Sequence, residues 1–200
     1  EGTAWQWTWF VPHDVDGLVE LMGGRDAFIG KLDSLFTADS KLEGESTSVD
    51  ISGLIGQYAH GNEPSHHIAH LYNYVGQPWR TQEIVDEVLH TLYFNNPDGL
   101  SGNEDCGQMS AWYILNAMGF YQVCPGKPVY SIGRPLFNEA TVHLKDGKSF
   151  KVIAHNNSRD NKYVRSIVLN GNKLETPFFT HQDIVDGGTL ELTMGSEPLK

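Results

Sequence analysis

The change of character at Gly119 constrains the fold of this chain more than any other feature. Before it, apolar residues recur at three- and four-residue spacing: Val15, Leu18, Val19, Leu21 and Met22 ahead of Gly23-Gly24, then Ala27, Phe28, Leu32, Leu35 and Phe36. The pattern predicts helices over both segments, with further helices at roughly 64–75, 81–93 and 107–118. After Gly119 come short strands at 129–132, 139–144, 149–154, 166–169 and 189–194, punctuated by the hairpin signals Asp146-Gly147 and Asn170-Gly171. Residues 180–185 read as one helical turn between strands. Helix and strand do not alternate, so a parallel α/β fold is excluded. The class is α+β: a helical part over 1–119 and an antiparallel sheet or sandwich over 120–200.

Two stretches need separate treatment. Trp5, Trp7 and Trp9 alternate with polar residues, which suits a strand but also a crowded helix or loop. Residues 37–50, with Ser40, Glu43, Gly44, Glu45 and Ser46, read as a polar, acidic surface loop. The net charge of −11 excludes a nucleic-acid backbone as a natural partner. No apolar run is long enough to span a membrane. Two cysteines, Cys106 and Cys124, leave the redox compartment open. The chain opens directly on an aromatic, functional-looking segment without Met or a signal peptide, and so reads as part of a longer protein.

Chemistry concentrates in two places. Residues 60–70 bring together Asn62, Glu63, His60, His66, His67 and His70, with Pro64 suited to the first turn of a helix. On a regular helix His66 and His70 share a face, while His67 points elsewhere. A helix-capping Glu and packed histidines are the ordinary reading of such residues taken singly. Five together, among aromatics, read as a pocket wall. The spacing is not that of a zinc motif, and an oxygen-ligand metal fits Asn62 and Glu63 as well. The second place is 98–113, a Gly-rich loop with Asn103, Glu104 and Asp105 leading into an apolar helix. Two separated carboxylate loops with aromatics between them are what inverting glycoside hydrolysis requires. One carboxylic acid protonates the leaving oxygen, and one carboxylate activates water across a gap of roughly 6.5–9.5 Å.

Residues 1–15 (Glu-Gly-Thr-Ala-Trp-Gln-Trp-Thr-Trp-Phe-Val-Pro-His-Asp-Val), 61–67 (Gly-Asn-Glu-Pro-Ser-His-His) and 102–112 (Gly-Asn-Glu-Asp-Cys-Gly-Gln-Met-Ser-Ala-Trp) resemble glycoside hydrolase family 92. So do Gly119-Phe120-Tyr121 and residues 130–137. The resemblance implies calcium-dependent, inverting exo-α-mannosidases, often bacterial and exported, that act on terminal α-mannosides such as the α-1,2-linked mannose of N-glycans. It implies the later helices of an (α/α)6 barrel followed by a returning sheet, the rest of the barrel belonging to a missing N-terminal portion. Glu1 is then the general acid and Asp105 the base, with Glu63 an alternative acid. Asn62, Trp5, His13, Asp14, Asn103 and Glu104 line the sugar site. His66, His67 and Glu83 are implied metal contacts, with Ca2+ as the cofactor. Asn103 stands where some relatives have a second acid. A half-built barrel cannot preorganise its site, so the 200 residues alone are expected to turn over little substrate. Two other readings compete: a non-catalytic carbohydrate-binding or structural module, and a different (α/α)6 enzyme such as a glycoside phosphorylase. The carboxylate at Asp105 and the absence of a basic phosphate cluster favour hydrolysis.

Overall fold

Helix boundaries fall where capping residues stand. In the computed structural model, which describes residues 1–42 and 47–200, Thr3 caps α1 (Ala4–Trp7). The Thr3 hydroxyl accepts from the Trp5 amide at 3.1 Å, and Gln6 Oε1 accepts from the Thr3 amide at 2.8 Å. The alternating tryptophans are therefore helical, with Trp9 fully buried beyond the helix and Trp7 exposed. Asp14 caps α2 (Val15–Leu21), and the left-handed pair Gly23-Gly24 turns the chain into α3 (Arg25–Thr37). Of the acidic loop expected at 37–50, residues 43–46 lie outside the described residues. A two-residue hairpin, β1 (Leu54–Ile55) and β2 (Tyr58–Ala59), was not legible in the sequence.

The single helix expected at 64–75 is instead two 3₁₀ turns, Glu63–Ser65 and Ile68–His70, and the short α4 (Leu71–Tyr74). The cause lies in the side chains. His66 Nε2 bonds the His60 carbonyl at 3.0 Å, His67 Nε2 the Trp9 carbonyl at 2.8 Å, and His70 Nε2 the Asn116 side chain at 2.9 Å. Three buried imidazoles with partners in three directions do not suit one regular face. Helices α5 (Pro78–Thr91) and α6 (Gln108–Met118) follow, Pro78 starting the first and left-handed Gly119 ending the second. No helix among the described residues is long and apolar enough to cross a membrane.

Beyond Gly119 the chain is mostly strand: β3 (Phe120–Tyr121), β4 (Val129–Ile132), β5 (Glu139–His143), β6 (Ser149–His155), β7 (Tyr163–Leu169), β8 (Asn172–Lys173), β9 (Phe178–Thr180) and, after α7 (His181–Asp186), β10 (Gly188–Gly195). Both hairpin dipeptides turn as expected, with positive φ at Asp146, Gly147, Asn170 and Gly171. One sheet has the order β3-β4-β9 and the other β5-β6-β10-β7-β8. The expectation of purely antiparallel pairing needs one correction: β10 runs parallel to β6. Strands β6 and β7 run in opposite directions, so a strand inserted between them must be parallel to one and antiparallel to the other. Phe150 of the larger sheet stacks on Phe179 of the smaller at 5.9 Å, closing a sandwich core with Ile132, Leu190 and Leu192.

A second core joins the helices through Trp9, Phe28, Leu32, Tyr72, Val88 and Trp112, and Leu115 of α6 packs against both cores. Polar bolts also cross between them. Arg134, 2% exposed, pairs with Asp86 of α5 at 2.9 Å. The fully buried His70 spans Asn116 of α6 and Ser131 of β4, and Asn73 donates to the same Ser131 hydroxyl at 2.6 Å. Asn116 Oδ1 can only accept, so His70 carries its proton on Nε2 and receives one from Ser131 on Nδ1.

Burial holds the His70 pKa down, from an ordinary 6.5 to about 4. The unfolded chain therefore takes up a proton that the folded chain refuses. The stability this provides is complete above about pH 6.5 and is lost as the pH falls toward 4, on the order of 3 kcal/mol for this one group. Thermal unfolding between pH 4 and 8 should show the loss, and His70→Asn should flatten the slope at the cost of a lower Tm. An equally steep slope in the variant would mean that other groups set the acid sensitivity.

Candidate active site

The two motif stretches are pinned together at both ends. At the first end, Gly61 meets Gly102 backbone to backbone. A methyl group on Gly102 would stand 2.7 Å from the Gly61 Cα, and one on Gly61 would stand 2.7 Å from the Ser101 carbonyl. Only glycine permits that approach. At the other end, α6 grips His66. Gln108 Nε2 donates to His66 Nδ1 at 3.2 Å, and Trp112 Nε1 donates to the His66 carbonyl at 2.9 Å. Glu63 lies between the two pins on one strand of chain, and Asp105 between them on the other.

The carboxylates follow from this pinning. Asp105 lies near enough to Glu63 for its charge to act on it. Burial, then the Asp105 charge and a hydrogen bond with it, raises the Glu63 pKa, and Asp50 adds a smaller push. Glu63 Oε1 is buried and has no hydrogen-bond partner. From the other side, Asn62 Nδ2 approaches Glu1 Oε1 at 3.5 Å and the Glu1 carbonyl at 3.4 Å, both long contacts. Asn62-Glu63 thus stands between Glu1 and Asp105. Asp105 and Cys106 are both left-handed, at φ 47° and 58°, followed by Gly107 at 94°. Two successive non-glycine residues in that region store strain of about 1–2 kcal/mol each at the tip carrying the carboxylate.

Beneath the carboxylates lies a neutral aromatic floor. Tyr93 donates to the Met109 carbonyl at 3.0 Å, and His60 Nε2 bonds the Tyr93 hydroxyl at 2.7 Å. Tyr58 completes the relay to His60 Nδ1 at 2.8 Å. Burial lowers the pKa of His60, His66 and His67, that of His66 to about 4, so none of these rings brings a positive charge at neutral pH.

Several sequence expectations are redirected. The ring Nε2 atoms of His66 and His67 bond backbone carbonyls, and His66 Nδ1 meets Gln108. Glu83 stands on α5 bound to Arg80 at 2.7 Å and to the Tyr163 hydroxyl at 2.7 Å. Glu104 holds the Ser110 hydroxyl at 2.9 Å and its amide at 3.2 Å, and so caps α6. Asp14 is likewise a cap, on the Gly17 amide at 3.0 Å, and His13 gives its carbonyl to Lys127. Trp5 faces α3 under the Lys31 ammonium, 4.7 Å from its ring. Asn103 is exposed beside Glu104. Cys106 and Cys124 are unpaired. Sequence reasoning missed Gln108, Trp112 and Tyr121. All three lie within the recognised motifs, but nothing in their spacing shows what they touch.

A metal fits the oxygens here better than the nitrogens. Among the described residues no group of three or more His, Cys, Asp or Glu side chains forms a ready metal cluster. The orphaned Glu63 Oε1 beside Asp105 nevertheless places two like charges where a proton or a hard cation would relieve them. A small cleft of about 210 Å³ opens at Glu1, lined by Gly2, Thr3, Leu42, Thr47, Ser48 and Ile51. A wider one of about 490 Å³ lies between Tyr93, Phe94, Asn96 and Ile114 and holds none of the carboxylates. The smaller cleft is lined by Glu1 but not by Glu63 or Asp105.

The model of the glycosyl hydrolase family 92 catalytic domain matches residues 1–196. The chain belongs to that family. A family GH92 α-mannosidase from Bacteroides thetaiotaomicron, solved in complex with mannoimidazole, superposes with a TM-score of 0.92 at 44% identity, covering 100% of this chain and 26% of that one. A family GH92 inverting mannosidase from the same organism gives 0.85 at 45% identity, over 99% of this chain and 28% of that one. A secreted glycosidase of Arthroderma benhamiae is 32% identical over 200 residues, 98% of this chain and 24% of its own length. The chain therefore spans about a quarter of the length of the relatives it matches. Its match to family 92 covers mixed helices and largely antiparallel sheets.

The glycine pin can be tested directly. Gly102→Ala should push the two loops apart, because its new methyl group meets backbone that no rotamer change can clear. Overpacking of this kind costs about 1–3 kcal/mol, to be read as a fall in chemical-unfolding stability. An unchanged midpoint would show that the loops are not in contact.

Proposed function

We propose that this chain is the C-terminal part of an inverting exo-α-mannosidase that hydrolyses terminal α-mannosides, with Asp105 as base and Glu1 as acid. The observation that carries the assignment is the placement of Asn62-Glu63 between those two carboxylates. Glu63 and Asp105 share one charge environment, the Asp105 charge raising the Glu63 pKa, whereas the inverting geometry asks for an acid set apart from the base by roughly 6.5–9.5 Å. That argues for Glu1 rather than Glu63 as the acid. In the reaction Glu1 gives its proton to the leaving glycosidic oxygen as the bond to the anomeric carbon breaks. Asp105 takes a proton from the water attacking the opposite face, so the product is β-mannose.

Calcium is the cofactor of this reading, with Glu63 Oε1 and the Asn62 side-chain oxygen as its protein donors. When bound it would supply a Lewis-acid contact to sugar hydroxyls and offset the Glu63–Asp105 repulsion. The α-1,2 linkage, the completion of an (α/α)6 barrel by the remainder of the protein and export from the cell belong to the same proposal. The names of the relatives support the substrate class and the secretion.

The test uses a full-length protein carrying these residues and a panel of α-mannobioses. Mannose release that stops with chelator and returns with calcium is expected, with the β-anomer appearing first by proton NMR. Asp105→Asn should lower kcat by about 10²–10⁴-fold. No release from any mannoside by the folded protein would favour a binding module. Release of the α-anomer would overturn the inverting assignment.

A further inference from the structure

We propose that Gln108 is a positioning residue: it sets the separation of the Glu63 and Asp105 turns by clamping His66 to Tyr121. The inference rests on the mannosidase reading for its effect on rate, but on geometry alone for the clamp. Gln108 is the first residue of α6 and lies three residues after Asp105, just as His66 lies three residues after Glu63. Its amide has two hydrogens, and both are used. One goes to His66 Nδ1 at 3.2 Å and the other to the Tyr121 hydroxyl at 3.0 Å. His66 can accept only because its proton sits on Nε2, where it bonds the His60 carbonyl at 3.0 Å.

The chain of contacts leaves little freedom. The amide of His66 bonds the Glu63 carbonyl at 3.0 Å, which ties the clamp to the turn that carries the carboxylate. Tyr121 is the second residue of β3, directly after the α6–β3 junction, and its phenol lies close enough to Glu63 to feel that charge. Gln108 therefore joins three units, the 61–67 turn, the start of α6 and β3, at the level of the carboxylates. Glu104 and Ser110 cap α6 on the outside and do not perform this task. Trp112 holds the same residue by its carbonyl, so it supports the clamp but does not sense the ring.

Two variants separate position from stability. Gln108→Leu keeps the bulk and loses both donors, while Gln108→Glu keeps the shape and replaces the donor with an acceptor. In full-length protein, Gln108→Leu should lower kcat by about 10–100-fold with KM changed less than about threefold, the signature of misplaced reacting groups. Gln108→Glu should bring a proton to His66 Nδ1 while Nε2 keeps its own against the His60 carbonyl, seen as a changed 15N shift of Nδ1. Trp112→Phe removes the carbonyl bond and keeps the ring, and should leave the His66 tautomer on Nε2. An unchanged kcat in folded Gln108→Leu overturns the positioning role, and an unchanged Nδ1 shift of His66 in Gln108→Glu overturns the clamp. If the wild-type protein releases no mannose at all, the mannosidase reading fails alone. The clamp is then judged by the His66 shifts and by amide exchange, which should quicken in 61–67 and 102–108 of Gln108→Leu and not in the sheet.

Discussion

Backbone contact between Gly61 and Gly102 is the constraint on which the candidate site depends. Neither residue has a side chain, so two loops about forty positions apart in sequence can lie against each other with no gap. Everything that distinguishes the site follows from that approach and from the grip on His66 at the far end. The Glu63 and Asp105 turns are bridged at both ends, so each carboxylate is carried on a short span whose termini cannot drift. Rigid elements supply the support: α6 on one side, and a floor of Trp112, Tyr93 and His60 below, with the His60 and Trp112 rings 4.3 Å apart. The two turns and their supports are thus fixed before any ligand arrives, which is what a preorganised site requires.

The electrostatics of the cluster run against intuition for a stretch so rich in histidine. Four imidazoles lie within eleven residues, yet burial keeps His60, His66, His67 and His70 neutral. They act as geometric parts, each donating from one nitrogen into a carbonyl, a phenol or an amide. The charge in the site is therefore negative, and the groups that raise the Glu63 pKa are burial, Asp105 and Asp50. A protein with net charge −11 that crowds carboxylates at one point creates a place for a proton or a hard cation.

The sheet half is a buttress for this arrangement. Helix α6 ends at Gly119, whose left-handed turn drops the chain directly into β3. Ser131, Asn73 and Asn116 then fasten that junction to His70. Gly133 is part of the same fit, since a Cβ there would stand 3.1 Å from the His70 ring. The buried Arg134–Asp86 pair adds a charged tie between the linker after β4 and α5. Such a pair is weak as a source of net stability but costly to break, and so it enforces one relative placement of the two layers.

Much of this was legible in the residues themselves. Three-four apolar spacing located α2, α3, α5 and α6, and the Asp146-Gly147 and Asn170-Gly171 dipeptides located two hairpins, because both signals are local. The motif stretches also named Glu1, Asn62, Glu63 and Asp105, of which the structure sets Asn62 against Glu1 and Glu63 near Asp105. The broken helix after Pro64, the parallel β6–β10 pair and the roles of Gln108 and Trp112 depended on partners far away in sequence. So did the hydrogen-bond partners of Glu83, His66, His67, Asp14 and Glu104. A residue's type and spacing determine which interactions it can make. Which of them it does make is decided by burial and by what the folded chain places within about 3 Å, the reach of a hydrogen bond. Sequence determined the elements and the chemical inventory of this protein, and tertiary structure decided which partners each of those side chains meets.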